Sequence, residues 1–159
     1  PSQFRDPSLL QRIEHILDTH HTPAHRLIFE ITEGMLMQDP YQTTALMNRL
    51  VQRGIRFAID DFGTGYSNLA ALKRLPLYEL KIDRSLIHDV DTDPDSAAIV
   101  RAVLALGQQL RLHIVAEGVE TQAQADFLNQ HHCSALQGHL YAEAMPQEQW
   151  RQQVERRIH

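Results

Sequence analysis

The sequence predicts an α/β chain whose parallel strands form part of a (β/α) barrel. Three observations lead there. Apolar, β-branched runs alternate with amphipathic helical segments roughly every 25–35 residues, the spacing of strand–helix–strand crossovers. Each run is apolar on one face and polar on the other. The polar groups collect at the C-terminal ends of the runs, above all in Phe57-Ala58-Ile59-Asp60-Asp61-Phe62-Gly63-Thr64-Gly65-Tyr66, where two adjacent carboxylates lead into a glycine-punctuated loop.

In chain order, Pro7 to His20 reads as a helix, with Leu9, Leu10, Ile13, Ile16 and Leu17 at helical spacing and Pro7 suited to its first turn. Leu27 to Glu33 reads as a strand. Pro40 to Arg53 is a helix carrying Ala45, Leu46, Leu50 and Val51 on one face, and Gly54 stops it. Ile55 to Asp60 is the next strand, followed by the glycine loop and a short helix from Ser67 to Leu75. Tyr78 to Asp83 is a strand. Asp95 to Leu110 is a long helix with Ile99, Val103 and Leu106 as its apolar stripe. Leu112 to Glu117 is a strand, Gln122 to Gln130 a helix, Ala135 to Gly138 a short strand and Gln147 to Ile158 a terminal helix.

Alternate strand residues point to opposite faces. Leu27, Phe29 and Ile31 oppose Ile28 and Glu30. Ile55, Phe57 and Ile59 oppose Arg56, Ala58 and Asp60. Leu80 and Ile82 oppose Glu79, Lys81 and Asp83, and Leu112, Ile114 and Ala116 oppose His113, Val115 and Glu117. An open doubly wound sheet has helices on both sides and wants both faces apolar. One apolar face and one converging on polar strand ends suit a barrel, whose chemistry gathers at its C-terminal mouth.

The chain has 159 residues, enough for one domain over 1–159 with a real core. Its net charge of -5 argues against a nucleic-acid polymer as partner, but not against a small anion held through metal ions. No run of about 18 apolar residues crosses a membrane, and the polar start resembles no signal peptide. The single cysteine, Cys133, excludes an internal disulfide and fits a reducing, cytoplasmic compartment. The missing initiator Met suggests an excised fragment or a processed chain.

Glu30, Asp60, Asp61, Lys81, Glu117 and Gln137 stand at successive strand ends and would project into one mouth. Four carboxylates there do not coexist ionised without cations. Oxygen-only donors select hard ions, Mg²⁺ or Mn²⁺. Two such ions sharing a carboxylate form the clamp used on phosphodiesters, with Asp60 the natural bridge. Lys81 would hold the attacking water or stabilise developing negative charge; as a free base it would need a strongly depressed pKa. Asp83, on the same face, would line the pocket. Taken singly, each residue has a plainer role: a strand-end acid as a cap, Lys81 as a surface lysine, Asp83 as a turn residue, Glu120-Thr121 as a helix cap. Their joint occurrence is what favours a site. Asp61-Phe62-Gly63 is similar to the kinase magnesium motif but lacks its companions. His20-His21 and His131-His132 lack zinc-ligand spacing and read as surface residues, and Cys133 as buried.

Five stretches together resemble the successive signatures of the EAL domain family: Phe29 to Glu33, Ile59 to Ser67, Leu80 to Ser85, Ala116 to Thr121 and Leu136 to Gly138. The resemblance implies a TIM-like (β/α)8 barrel that hydrolyses cyclic di-GMP to linear pGpG. It implies Glu30, Asp60, Asp61 and Glu117 as ligands of two Mg²⁺ or Mn²⁺ ions, Lys81 on the catalytic water and Gln137 near it, with Lys81, Glu117 and Gln137 the catalytic set. Glu120 and Asp83 fall at the substrate pocket. Glu33 steadies the loop from Phe62 to Asn68, which in the family couples dimerisation to activity.

There are departures. The Glu-Ala-Leu motif and the metal-binding Asn-x-Ser strand do not occur, so the first two barrel strands are expected to be missing. His139 and Ala144 replace the family's aromatic and proline. The expectation is a partial domain, weakly active or inactive alone, a homodimer through the loop after Asp61, joined in its parent chain to sensory or diguanylate cyclase-like domains that can anchor it to a membrane. The alternatives are a non-catalytic cyclic di-GMP receptor or protein-interaction module, and a different metal-dependent barrel hydrolase.

Overall fold

Among the described residues, five parallel strands form one sheet in the order in which they occur in the chain. They are β1 (Ile28–Thr32), β2 (Arg56–Phe62), β3 (Glu79–Ile82), β4 (His113–Ala116) and β5 (Ala135–Leu136). The helices are α1 (Leu9–His20), α2 (Pro40–Gln52), α3 (Arg84–Ile87), α4 (Pro94–Gln109), α5 (Gln122–Gln130) and α6 (Gln147–Ile158). The computed structural model describes residues 6, 8–32, 34–35, 40–63 and 72–158, with the backbone alone for 155–158. Pro7, Glu33 and most of the helix expected over Ser67 to Leu75 lie outside the described residues.

The monotonic strand order separates a barrel arc from a doubly wound sheet, in which the order reverses at a switch point. The alternation read from the sequence then sorts the two faces. Phe57, Ile59, Leu80, Ile82, Ile114 and Ala116 are buried on the helix side, where Phe29 meets Phe57 edge-to-face with centroids 6.0 Å apart. The other face carries Ile28, Glu30, Ala58, Glu79, Lys81 and Val115 (register Glu30↔Ala58↔Glu79 and Lys81↔Val115). Among the described residues the sheet does not close, and Ile28 on this inner face is 39% exposed.

Three helix faces differ from expectation. α4 buries Ala97, Val100, Val103, Leu104 and Gly107, while Ile99 is 49% exposed. A Cβ at Gly107 would lie 2.6 Å from Ile114 Cδ1, so the helix is rotated to bring its glycine onto β4. α2 buries Thr43, Met47 and Leu50 instead of Ala45 and Val51. α1 buries Leu10 and Leu17 and leaves Ile16 exposed. Each apolar stripe is wider than the contact the sheet offers, and only the packing decides which part of it is used.

The four helices α1, α2, α4 and α5 end alike. A residue in the left-handed region follows each helix (His21, Gly54, Arg111, His132). The next amide then bonds back to the carbonyl five residues earlier: Thr22 to Leu17, Ile55 to Leu50, Leu112 to Gly107, Cys133 to Leu128. This is the Schellman turn, and the sequence shows only the Gly54 instance because glycine is its usual occupant.

Candidate active site

The largest departure from the expected elements makes the site. β2 does not stop at Asp60 but runs on through Asp61 to Phe62. Its pairing with β3 slips between Ile59↔Leu80 and Phe62↔Ile82, so β2 carries one extra residue there. Asp61 sits at φ 54°, left-handed backbone in which Asp is among the better tolerated side chains. The two acids therefore lie in a β-bulge, a device that re-aims consecutive side chains.

Lys81 is the centre of the arrangement. It stands on β3 with its side chain 9% exposed. Its Nζ lies 2.8 Å from Glu30 Oε1 on β1, 3.0 Å from Asp60 Oδ1 on β2, and 2.8 Å from Glu117 Oε1 just beyond β4. Three neighbouring strand ends thus deliver an acid to one ammonium. Burial alone would favour the neutral amine. The contacts with Glu117, Glu30 and Asp60 outweigh it and hold Lys81 protonated, well above its ordinary range. That is the reverse of what a free general base requires.

Three carboxylates facing one ammonium leave two negative charges uncompensated within a few ångströms. Asp60 Oδ1 is buried and lies in ion-pair contact with Lys81 Nζ, an ammonium it shares with Glu30 and Glu117. A buried carboxylate that shares a single ammonium with two other acids is stabilised further by an additional cation. The donor set is all oxygen and fits a hard divalent ion. Among the described residues no three acids, histidines or cysteines are drawn into a ready-made cage, since Lys81 occupies the point on which they converge.

The other expected residues are placed as follows. Gln137 is exposed just past β5, on the rim of a groove of about 520 Å³ that Glu30, Lys81 and Tyr141 also line. Asp83 caps α3: its carboxylate accepts from the Ser85 amide at 2.9 Å and from the Ser85 hydroxyl. The hydroxyl bond holds its carboxyl below the ordinary carboxylate range. Glu120 is exposed, and its amide donates to Gln124 Oε1 at 2.8 Å, next to a capping box formed by Thr121 and Gln124. Glu33 lies outside the described residues. His21 and His132 are the left-handed turn residues noted above, and Cys133 is half-buried with its thiol against Ile114 and Ala135 carbonyls.

Sequence reading passed over Glu79 and His113. Glu79 is buried, and His113 Nδ1 lies 3.1 Å from Glu79 Oε2. Tyr78 stacks on the His113 ring, and the Arg56 guanidinium lies 4.3 Å from the Tyr78 ring centre. These residues form the floor of the inner face beneath Lys81. The signal was present, because Glu79 shares the polar face two residues before Lys81.

Fold and site together define an α/β barrel-type protein with an acid-and-lysine centre at the carboxyl ends of a parallel sheet. The EAL domain profile matches residues 1–144, and the chain belongs to the EAL domain family. The bifunctional diguanylate cyclase/cyclic di-GMP phosphodiesterase MucR of Pseudomonas aeruginosa is 47% identical over 147 residues, covering 92% of this chain and 22% of MucR. The cyclic di-GMP phosphodiesterase NbdA of the same organism is 45% identical over 139 residues, covering 87% of this chain and 18% of NbdA. The chain therefore spans about a fifth of the length of these curated relatives. Among solved structures, the phosphodiesterase of P. aeruginosa MucR in complex with c-di-GMP superposes with a TM-score of 0.88 over 93% of this chain and 60% of that one, at 47% identity. The manganese/cy-diGMP complex of Klebsiella pneumoniae BlrP1 superposes with a TM-score of 0.80 over 87% of this chain and 36% of that one, at 29% identity. The TIM-barrel-like fold expected from the sequence is that of these structures, of which this chain contains a part.

Proposed function

We propose that this chain is the metal-dependent catalytic part of a cyclic di-GMP phosphodiesterase that opens its substrate to linear pGpG. The observation that carries the reading is the convergence of Glu30, Asp60 and Glu117 on Lys81 at neighbouring strand ends, three acids sharing one ammonium. The relatives' names and the manganese complex of BlrP1 support the substrate and the class of ion. Glu30, Asp60, Asp61 and Glu117 would hold Mg²⁺ or Mn²⁺. Such ions, when bound, supply Lewis acidity and an activated oxygen nucleophile at neutral pH.

The chain's own residues do the rest. Lys81 stays protonated and sets a fixed positive charge where phosphate oxygens gain negative charge, an electrostatic role worth about 100-fold or more in rate. Gln137 offers an amide donor and acceptor at the rim to orient water or phosphate. Glu120 and Asp83 bound the substrate side of the mouth. Two copies of the domain would pair through the segment after Asp61, with Glu33 in support; Glu33 and most of that segment lie outside the described residues. In the parent chain, sensory or diguanylate cyclase-like domains accompany this one in the cytoplasm. The sheet does not close into a complete barrel among the described residues, so turnover by the 159-residue chain alone is slow.

The test is conversion of cyclic di-GMP to pGpG, followed by chromatography with MnCl₂, MgCl₂ or EDTA. Slow, metal-dependent cleavage that is lost in Asp60→Asn is the expected result. Saturable binding of cyclic di-GMP without cleavage under any metal would replace the enzyme reading with the receptor one. Turnover at a rate typical of complete enzymes would refute the slow-turnover claim.

A further inference from the structure

The helix α3 follows Lys81 by three residues and touches the segments on both sides of it. A Cβ at Gly63, two residues after Asp61, would overlap Leu86 Cδ1. A Cβ at Gly118, directly after Glu117, would overlap Arg84 Cβ and lie 3.2 Å from Arg84 Cα. Both glycines have positive φ, 102° and 70°, so the turn as well as the close approach requires glycine. The two obstacles are one helical turn of the same short helix. Ile87, fully buried, anchors that helix, and the Asp83 side chain caps it. Main-chain bonds tie its start to both neighbours: Asp83 N donates to Phe62 O at 3.4 Å, and Glu117 N to Ile82 O at 3.1 Å.

We propose that α3 is a positioning wedge: held by the Asp83 cap, its Leu86 and Arg84 seat against Gly63 and Gly118 and set the distance between the Asp60-Asp61 bulge and Glu117 across Lys81. The wedge rests on the reading of these acids as one cation-binding centre. It gives Asp83 a positioning role besides its place at the substrate side of the mouth, through the two bonds its Oδ1 accepts from Ser85. A four-residue helix has little stability of its own, so its cap and its two glycine seats decide whether it stands.

The experiment is amide hydrogen exchange by NMR on the metal-free chain, comparing Asp83→Ala, Asp83→Asn and Asp93→Ala. Asp93 caps α4 through Asp95 and Ser96 and serves as a control for loss of a cap elsewhere. Asp83→Ala should speed exchange at least tenfold both at Phe62–Gly63 and at Glu117–Val119. Asp83→Asn, which keeps a capping oxygen, should restore protection. Faster exchange confined to residues 84–87, or the same pattern in Asp93→Ala, would overturn the wedge. If Asp83→Ala does not fold, Leu86→Ala replaces it, and unchanged exchange at both sites is then the overturning result. Mn²⁺ binding, followed by loss of the free-ion EPR signal, should weaken severalfold in Asp83→Ala. Coupled exchange in an unmodified chain that binds no Mn²⁺ would leave the wedge standing and sink the cation reading instead.

Discussion

Lys81 is the residue on which the site's stability turns. It separates Glu30, Asp60 and Glu117, and its removal leaves three acids facing one another. Lys81→Met should lower unfolding stability by about 1–3 kcal/mol, less than for a fully buried pair because the Glu30 side chain is half exposed. Calorimetry checks this, and MnCl₂ should return part of the loss by supplying the missing positive charge. The sign of the pH dependence follows from the raised Lys81 pKa. The stabilisation is complete below the ordinary lysine value of 10.5 and is lost as pH rises through the higher folded value. The stability difference between the unmodified chain and Lys81→Met should therefore hold steady through neutral pH and shrink only in strong alkali. Urea titrations across that range test it, and a difference that vanishes below pH 9 would count against the ion network. Gly138 is a second pressure point. A Cβ there would overlap the Val119 backbone, which cannot swing aside as a side chain end can. Gly138→Ala should cost about 2–3 kcal/mol and displace Gln137, whose carbonyl accepts from Val119 N at 3.0 Å. A thermal melt within a degree or two of the unmodified chain would contradict this.

The elements owe their ends to local backbone chemistry. Arg111 occupies a left-handed position (φ 58°) that costs an ordinary side chain about 1 kcal/mol and glycine almost nothing. Arg111→Gly should raise stability by about 0.5–1 kcal/mol, and Gly54→Ala should lower it by about 1 kcal/mol; denaturant midpoints measure both. A destabilised Arg111→Gly would mean that its side chain contributes more than its backbone costs. The helices were legible at this scale because their apolar spacing and caps are local. α5 runs from Gln122 to Gln130, the range its residues predict, and its Thr121 cap stands where the sequence places it. α3 was not legible, since four residues carry too few turns to show a period. Nor was the bulge in β2, because Phe57 to Phe62 reads as strand or strand-then-loop until β3 is laid beside it.

At the scale of the whole molecule, the edge strands β1 and β5 each pair on one side only among the described residues. Unpaired strand edges recruit other strands. Sedimentation should show concentration-dependent association of the 159-residue chain, and a monomer at every concentration would argue that residues beyond those described cover the edges. The sequence by itself determined the class of fold, since period-2 and period-3.6 patterns are local and alternate along the chain. It also determined which residue types meet at the strand ends, because a parallel sheet carries every C-terminus to one side. It could not set distances. That Glu30, Asp60 and Glu117 converge on a single ammonium depends on strand register, on a one-residue slip in β2 and on α3 seated between two glycines. Those are relations between segments up to 87 positions apart, from Glu30 to Glu117, and only tertiary packing brings such segments to bonding distance.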